Sequence, residues 1–222
     1  MTPSSLAVAA GHTGVVTVHA LRKDGFAGDI DVSLRSAPEG LVLSGGRIPA
    51  GRDRVLMTLT APWEVYDAPL LVELEGRAEI GAQTVTRPVV PAEDMMQAFA
   101  YRHLVPSQEL MVMVTGGKRF PPALGLANAG ILRVAPGGAG EVQIAVPKRA
   151  ILPEADVELV EPPDGVTLGQ TTAAPGVLNV EVKVDGEKLK AGYADNLVVS
   201  VSVQAEGRDQ GDGKPKRKFR VP

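Results

Sequence analysis

Residues 6–18 read LAVAAGHTGVVTV, and residues 132–144 read LRVAPGGAGEVQI. The two segments align without a gap, and each has glycine in the middle and alternating apolar residues at the end. Later stretches match in the same order along the chain, with offsets that drift slightly, as loops of different length would allow. We interpret the chain as two copies of one module, because such self-similarity is the signature of a repeated architecture.

The match extends along both copies. Four further pairs of segments align: 29–34 with 155–159, 37–43 with 162–168, 54–59 with 177–182, and 70–74 with 197–201. The first copy closes on Arg87-Pro88-Val89-Val90-Pro91 and the second on Phe219-Arg220-Val221-Pro222. We therefore expect equivalent core positions for Val16, Val18, Ile30, Val32 and Leu56 and, in the same order, for Val142, Ile144, Val157, Leu159 and Leu178.

Alternation of side chains predicts the strands. Val16 and Val18 would lie on one face of a strand and Thr17 on the other, with β-branched residues throughout. Pro38-Glu39-Gly40 and Pro163-Asp164-Gly165 have the spacing of a type I turn. With about seven short strands per copy and almost no helical periodicity, the sequence predicts an all-β chain of two tandem antiparallel β-sandwiches. We expect them to be Ig-like or fibronectin-III-like and joined by a structured linker.

We expect the first sandwich to span residues 1–91, the linker 92–109 and the second sandwich 110–222. Residues 92–131 belong to neither copy, and a connection of that length should have structure of its own. It is rich in large apolar side chains, which would be costly to leave in water. We therefore expect a fixed rather than a flexible joint.

The sequence leaves open whether residues 97–115 form a hairpin or a helix. A helix after Pro91 would place Met95, Phe99 and His103 on one face. In the hairpin that we favour, Phe99, Tyr101 and His103 alternate along a strand, and Pro106-Ser107-Gln108-Glu109 forms the turn. The apolar run 110–114 would then be a strand buried on both faces that supplies the first edge of the second module.

Composition excludes several classes of protein. The net charge of −3 provides no field that would attract nucleic acid, and the basic cluster at 214–220 is short. The chain has no cysteine and thus no disulfide or thiol nucleophile. It has no apolar run long enough for a membrane span, and its start lacks the features of a signal peptide. Because the first module begins at the chain start, we expect a fragment of a longer protein.

No motif predicts catalysis, a cofactor or a metal. His12, His19 and His103 lack metal-ligand spacing, and no serine lies in a Gly-x-Ser-x-Gly setting. Asp24, Asp29 and Asp31 would supply only one side of a calcium cage, so we interpret them as turn and strand-surface residues. We predict a protein that is not an enzyme and has no cofactor or metal site.

Trp63 and Tyr66 are the candidate ligand-binding residues. Aromatic residues make up only 4% of the chain, yet these two lie in one proline-bounded loop, beside Glu64 and Asp67. Aromatic rings next to carboxylates suit a sugar. In the alternative interpretation, Trp63 covers the open end of the first sandwich or packs against the linker.

The turns and strands also resemble a known family. The resemblance lies in Gly-x-x-Gly-x-Val-x-Val at 11–18, Asp-Gly-Phe-x-Gly-Asp-Ile at 24–30, Pro-Glu-Gly-Leu at 38–41 and the closing Arg-Pro-Val-Val-Pro. This order is similar to that of Ig-like modules near the C-termini of large secreted bacterial proteins, often beside pre-peptidase C-terminal domains. The resemblance implies no functional residues.

The resemblance implies an exported parent protein, located outside the cell, in the periplasm or at the cell surface. In such a protein these modules would be non-catalytic spacer, stabilising or presentation units, with the neighbouring domains of the parent chain as their partners. The alternative function is binding of a carbohydrate or another protein through Trp63 and Tyr66.

Overall fold

The structure is a computed structural model that describes residues 1–96, 101–116, 124–127, 131–146, 155–204 and 218–221. These residues form strands and loops with no helix among them, which confirms the all-β prediction. It follows that they contain no apolar helix long enough to cross a membrane. The chain divides into two compact units: Met1–Lys118 with Ala194–Asn196, and Arg119–Tyr193 with Leu197–Pro222.

One sheet of the first unit has three antiparallel strands. They are β4 (Val42–Ser44), β6 (Arg54–Thr60) in the centre and β2 (Thr13–His19). Val16 lies opposite Met57, and Val18 lies opposite Val55. All four are buried. Because side chains alternate along a strand, this register directs one face of the sheet into the core.

The second sheet of the first unit has six strands built around the long strand β7. The strands are β1 (Ser5–Ala9), β3 (Ile30–Ser36), β5 (Arg47–Ile48), β7 (Leu70–Ile80), β8 (Gln83–Pro88) and β11 (Leu110–Thr115). Val32, Val72 and Val112 of this sheet belong to the same buried cluster as Val16 and Leu59 of the three-stranded sheet. The two sheets thus share one apolar core, as in a β-sandwich.

One of the two edges of β7 is covered by a strand that is interrupted in the sequence. Gly76 pairs with Val32 of β3 on one side and with Arg87 of β8 on the other, so β8 lies on the edge of β7 opposite β3. Val89 N donates to Leu74 O over 2.9 Å, and on the same edge Leu110 lies opposite Val72. Val90 and Leu110 therefore take consecutive places along β7, although 91–109 separates them in the sequence.

The residues between these two segments form a hairpin of β9 (Ala92–Met96) and β10 (Arg102–Pro106). Its base is closed by Ser107 N, which donates to Pro91 O over 2.8 Å. Ala92 N donates to Met1 O over 2.7 Å, and the Glu93 carboxylate accepts hydrogen bonds from Ser4. Residues 91–109 are thus an insertion into the edge strand of the sheet.

The extended form of the linker is confirmed for the described residues, but its predicted pairing is wrong. β10 pairs with β9, so residues 92–96 form a strand instead of opening a helix. Phe99 lies outside the described residues. The predicted strand at 110–114 is present, but it is buried on one face only: Leu110, Val112 and Val114 are buried, whereas Met111 and Met113 are half-buried.

This strand, β11, does not supply the first edge of the second module. It pairs in parallel with β1 and antiparallel with β7, both in the first unit. A strand with apolar residues on both faces can sit between two others, and β11 does so in the first sheet. The first unit therefore runs on to Lys118, through the expected linker at 92–109 and into the expected second module at 110–222.

A short segment from later in the chain completes the first unit. Asp195 forms an ion pair with Arg52 at 2.5 Å. The Asn196 side-chain amide donates to Gly45 O over 2.6 Å and to Leu56 O over 2.9 Å. These bonds supply partners for loop and strand carbonyls that would otherwise need water.

The second unit contains two sheets. One has the order β12 (Gly125–Leu126), β13 (Ala139–Ala145), β16 (Val177–Val184) and β15 (Val166–Ala174). The other has the order β14 (Ala155–Val160), β17 (Val198–Gln204) and β18 (Lys218–Val221). Their core includes Ile144, Leu178, Val180 and Val201.

Equivalent strands of the two units pair in the same register under the sequence alignment. Three opposed pairs of the first unit have counterparts in the second: Val16–Met57 and Val142–Val180, Val18–Val55 and Ile144–Leu178, and Leu43–Leu59 and Leu168–Val182. Strand order agrees as well, because β3-β7-β8 corresponds to β14-β17-β18. The alignment and the hydrogen-bonded pairing thus agree independently.

The expected core pairs are buried to similar degrees. Every one of the ten residues is buried or half-buried, and none is exposed. Three equivalences were wrong, however. Val157 lies opposite Val201 as Leu34 lies opposite Leu74, so the counterpart of Val157 is Leu34 and not Ile30, and Val32 is likewise not the counterpart of Leu159. Leu178 lies opposite Ile144 as Val55 lies opposite Val18, so its counterpart is Val55 and not Leu56. A shift of one residue along a strand moves a side chain to the other face, which is why the distinction matters.

The interrupted edge strand leads to a first prediction. A chain that lacks residues 91–109, with Val90 joined to Leu110, should fold with β8 and β11 as one continuous strand. It loses the hydrogen bonds of Ala92 and Glu93 to the N-terminal segment, so we expect destabilisation of about 1–3 kcal/mol. Urea denaturation measures this change in the free energy of unfolding.

The control deletion removes one residue more, 91–110, and joins Val90 to Met111. This slip would turn Val112 and Val114 away from the core. Each buried side chain contributes about 1.5–3 kcal/mol, so we expect a loss of more than about 3 kcal/mol or no folding. Equal stability of the two deletion variants would contradict the assignment of residues 91–109 as an insertion into the edge strand.

Candidate functional site

The loop between β6 and β7 carries Trp63 and Tyr66 and is anchored at its start. Gly11 N donates to Pro62 O over 3.0 Å, and Ala61 N donates to His12 O over 2.8 Å. These bonds tie the loop to the turn between β1 and β2. The backbone just before Trp63 is therefore positioned by this turn.

The ring of Trp63 lies against the backbone of Gly11. A Cβ built on Gly11 would lie 2.4, 2.5 and 2.6 Å from Cζ3, Cε3 and Cη2 of the ring. Near-equal distances to three adjacent ring atoms mean that the glycine faces the ring plane and not its edge. Gly11 also has φ of 72°, a conformation that favours glycine. The side chain is nevertheless 63% exposed.

Tyr66 has a different environment. Its ring packs against the apolar core of the first unit, and its hydroxyl donates to Glu64 Oε2 over 3.4 Å. Partial desolvation and the Glu64 carboxylate raise the pKa of the Tyr66 hydroxyl. Of the two aromatic residues singled out from the sequence, only Trp63 thus presents a largely exposed ring.

A second turn approaches the same loop. A Cβ on Gly40 would lie 3.1 Å from Pro62 Cβ, so the turn at 38–40 lies beside the start of the loop. The Glu39 carboxylate of this turn contributes to the raised pKa of Tyr66. We call the group Gly11, Glu39, Trp63, Glu64 and Tyr66 the Trp63 platform. It combines one exposed ring with two carboxylates, which can only accept hydrogen bonds.

Asp29, one of the three aspartates considered as calcium ligands, is engaged by groups of the protein itself. Asp29 accepts from Arg47 at 2.5 Å and from Ala50 N at 2.7 Å, and these two bonds lower the pKa of its carboxyl. Its oxygens thus serve the protein itself. In the part of the chain that the structure covers, no three His, Cys, Asp or Glu side chains cluster as metal ligands.

An open depression of about 320 Å³ lies on the outer face of the second unit. Glu141 and Glu181, opposite each other on β13 and β16, contribute to its lining. Glu181 accepts from Gln170 N over 2.9 Å and pairs with Lys183 Nζ at 3.4 Å, and the Gln170 bond is the main reason for its lowered pKa. This polar face could not be predicted from the sequence, since its residues come from three strands.

No protein-family model matches the chain, and no curated protein matches it significantly. The resemblance to Ig-like modules thus stays a proposal that rests on the sequence pattern and turn spacing alone. We take the Trp63 platform as the candidate site, because it combines an exposed aromatic ring with two carboxylates.

A second prediction concerns the contact under the ring. Gly11→Ala should displace Trp63 and make its ring more accessible to acrylamide, because a methyl group cannot fit there. The left-handed backbone adds a cost of about 1–2 kcal/mol for a non-glycine residue. Trp63 is the only tryptophan, so quenching of its fluorescence reports on this ring alone.

Gly25→Ala is the matched control. Gly25 has φ of 74°, close to that of Gly11, but a Cβ there would meet nothing within 4 Å. It should carry the same backbone cost of about 1–2 kcal/mol, without the clash, and leave the Trp63 fluorescence unchanged. Equal quenching in the two variants would show that Gly11 does not position the ring.

Proposed function

We propose that the chain is a non-catalytic tandem pair of Ig-like or fibronectin-III-like sandwich modules within a larger exported bacterial protein. In this role it spaces, stabilises or presents neighbouring domains of the parent chain. The observation that carries the proposal is the equal register of Val16–Met57 and Val142–Val180 at aligned positions. Two copies of one folded unit along a single chain are compatible with a spacer.

The cores of the two units support this function. Leu59 and Val112 in the first unit and Leu178 and Val180 in the second are at most 1% exposed. Their burial drives folding without any ligand. The absence of cysteine makes folding independent of the redox state of the compartment, so the chain is compatible with export.

A replacement experiment in the parent protein tests the proposal. Residues 1–222 are exchanged for an unrelated pair of β-sandwich modules of similar length. A spacer contributes only a folded, stable connection, so we expect the exchanged protein to retain its export and the activity of its neighbouring domains. Immunoblotting of extracellular fractions and an activity assay of the parent measure the result.

The control replaces the same residues by a glycine and serine linker of equal length, which behaves as a flexible coil. We expect this version to be cleaved or to lose activity. The proposal is contradicted if the unrelated modules fail although they are folded and resist protease. It is also contradicted if the flexible linker performs as well as the native chain.

A further inference from the structure

Beyond the spacer function, we propose that the Trp63 platform binds carbohydrate. The C–H face of a pyranose ring stacks on the exposed surface of Trp63. Hydroxyl groups at the edge of the same sugar donate hydrogen bonds to the carboxylates of Glu64 and Glu39. The Tyr66 hydroxyl lies 3.4 Å from Glu64 Oε2, and the Tyr66 ring packs against the core, so Tyr66 is not a second stacking ring.

The first step is the preorganisation of the ring. A stacking surface binds better when it does not have to be ordered by the ligand. Gly11 supports the ring at the positions of Cζ3, Cε3 and Cη2, and the hydrogen bond from Gly11 N to Pro62 O holds the loop. The side chain is therefore supported from below while 63% of its surface is open.

The second step is the chemistry around the ring. The negative face of an aromatic ring attracts the slightly positive C–H groups of a sugar. Glu39 and Glu64 are acceptors only, and the Tyr66 hydroxyl bonds to Oε2 of Glu64. No bond from Tyr66 to the other oxygen, Oε1, is present, so Oε1 can accept from a ligand hydroxyl. A pyranose offers an apolar face and hydroxyl donors in one molecule.

The third step is the openness of the site. An exposed ring covers one face of one sugar unit, so it suits a segment of an extended polysaccharide better than an enclosed monosaccharide. Stacking of aromatic rings contributes modestly, and we expect a weak Kd of about 0.1–1 mM for a short oligosaccharide. The carboxylates should favour a sugar chain that also carries amino groups.

Fluorescence titration of the intact chain tests the proposal. Cellohexaose serves as the neutral probe and a chitosan hexasaccharide as the cationic probe, each up to about 10 mM, which would reveal a Kd of about 1 mM. We expect at least one probe to shift the Trp63 emission saturably and to protect the ring from acrylamide. If only the chitosan probe binds, the carboxylates contribute more of the binding free energy than the stacking on Trp63 does.

Variants then locate the site. Calorimetric titration should show binding at least about tenfold weaker for Trp63→Ala, partly restored in Trp63→Phe, and severalfold weaker for Glu64→Gln. Leu21→Ala is the control, because Leu21 is another exposed apolar residue of the first unit, at 80%. It should bind as the native chain does. Thermal unfolding checks that each variant is folded.

Two results would overturn the proposal. One is the absence of any binding of both probes, and the other is equal weakening by Trp63→Ala and Leu21→Ala. Neither result would affect the replacement experiment, which tests the spacer function without reference to Trp63.

Discussion

The antiparallel pairing of β2 with β6 is the constraint on which the first unit depends. It places Val16 against Met57 and Val18 against Val55, and these side chains fill the core between the two sheets. Side chains in a strand alternate strictly, so a slip of one residue would expose the whole set. The same pairing recurs between β13 and β16, where Ile144 and Leu178 face the core of the second unit.

The inserted hairpin shows how such a sheet accepts additional sequence. The chain leaves the edge of β7 after Val90 and returns to the next place at Leu110, so the ladder of the sheet is preserved. The insertion brings exposed apolar side chains with it, since Met96 and Tyr101 are 67% and 74% exposed. It also explains why residues 92–109 matched neither repeat, although the segments on both sides belong to the first unit.

The fold class and much of the register could be predicted from the sequence, because alternation, turn residues and self-similarity are local signals. The strands with which β11 pairs could not be predicted, since an apolar run fits between strands of either module. Hydrogen bonds from side chains to backbone carbonyls of other loops could not be predicted from the sequence either. Arg22, only 11% exposed in its side chain, donates to the carbonyls of Gly28, Pro49 and Arg52, and no motif marks it.

The candidate site was predicted in part. Composition and the proline-bounded loop pointed to Trp63 and Tyr66, but the different environments of their rings depend on tertiary contacts. The support that Gly11 gives to Trp63 comes from a turn about fifty residues earlier, and Glu39 comes from another turn. Such convergence follows only from the pairing of strands far apart in sequence, as is usual for sites built on loops of a rigid scaffold.

The central claim is the shared register of the two units, which interstrand nuclear Overhauser effects measure directly in solution. They should place Val16 opposite Met57 and Val142 opposite Val180; a shift of one residue in either pair would contradict the account.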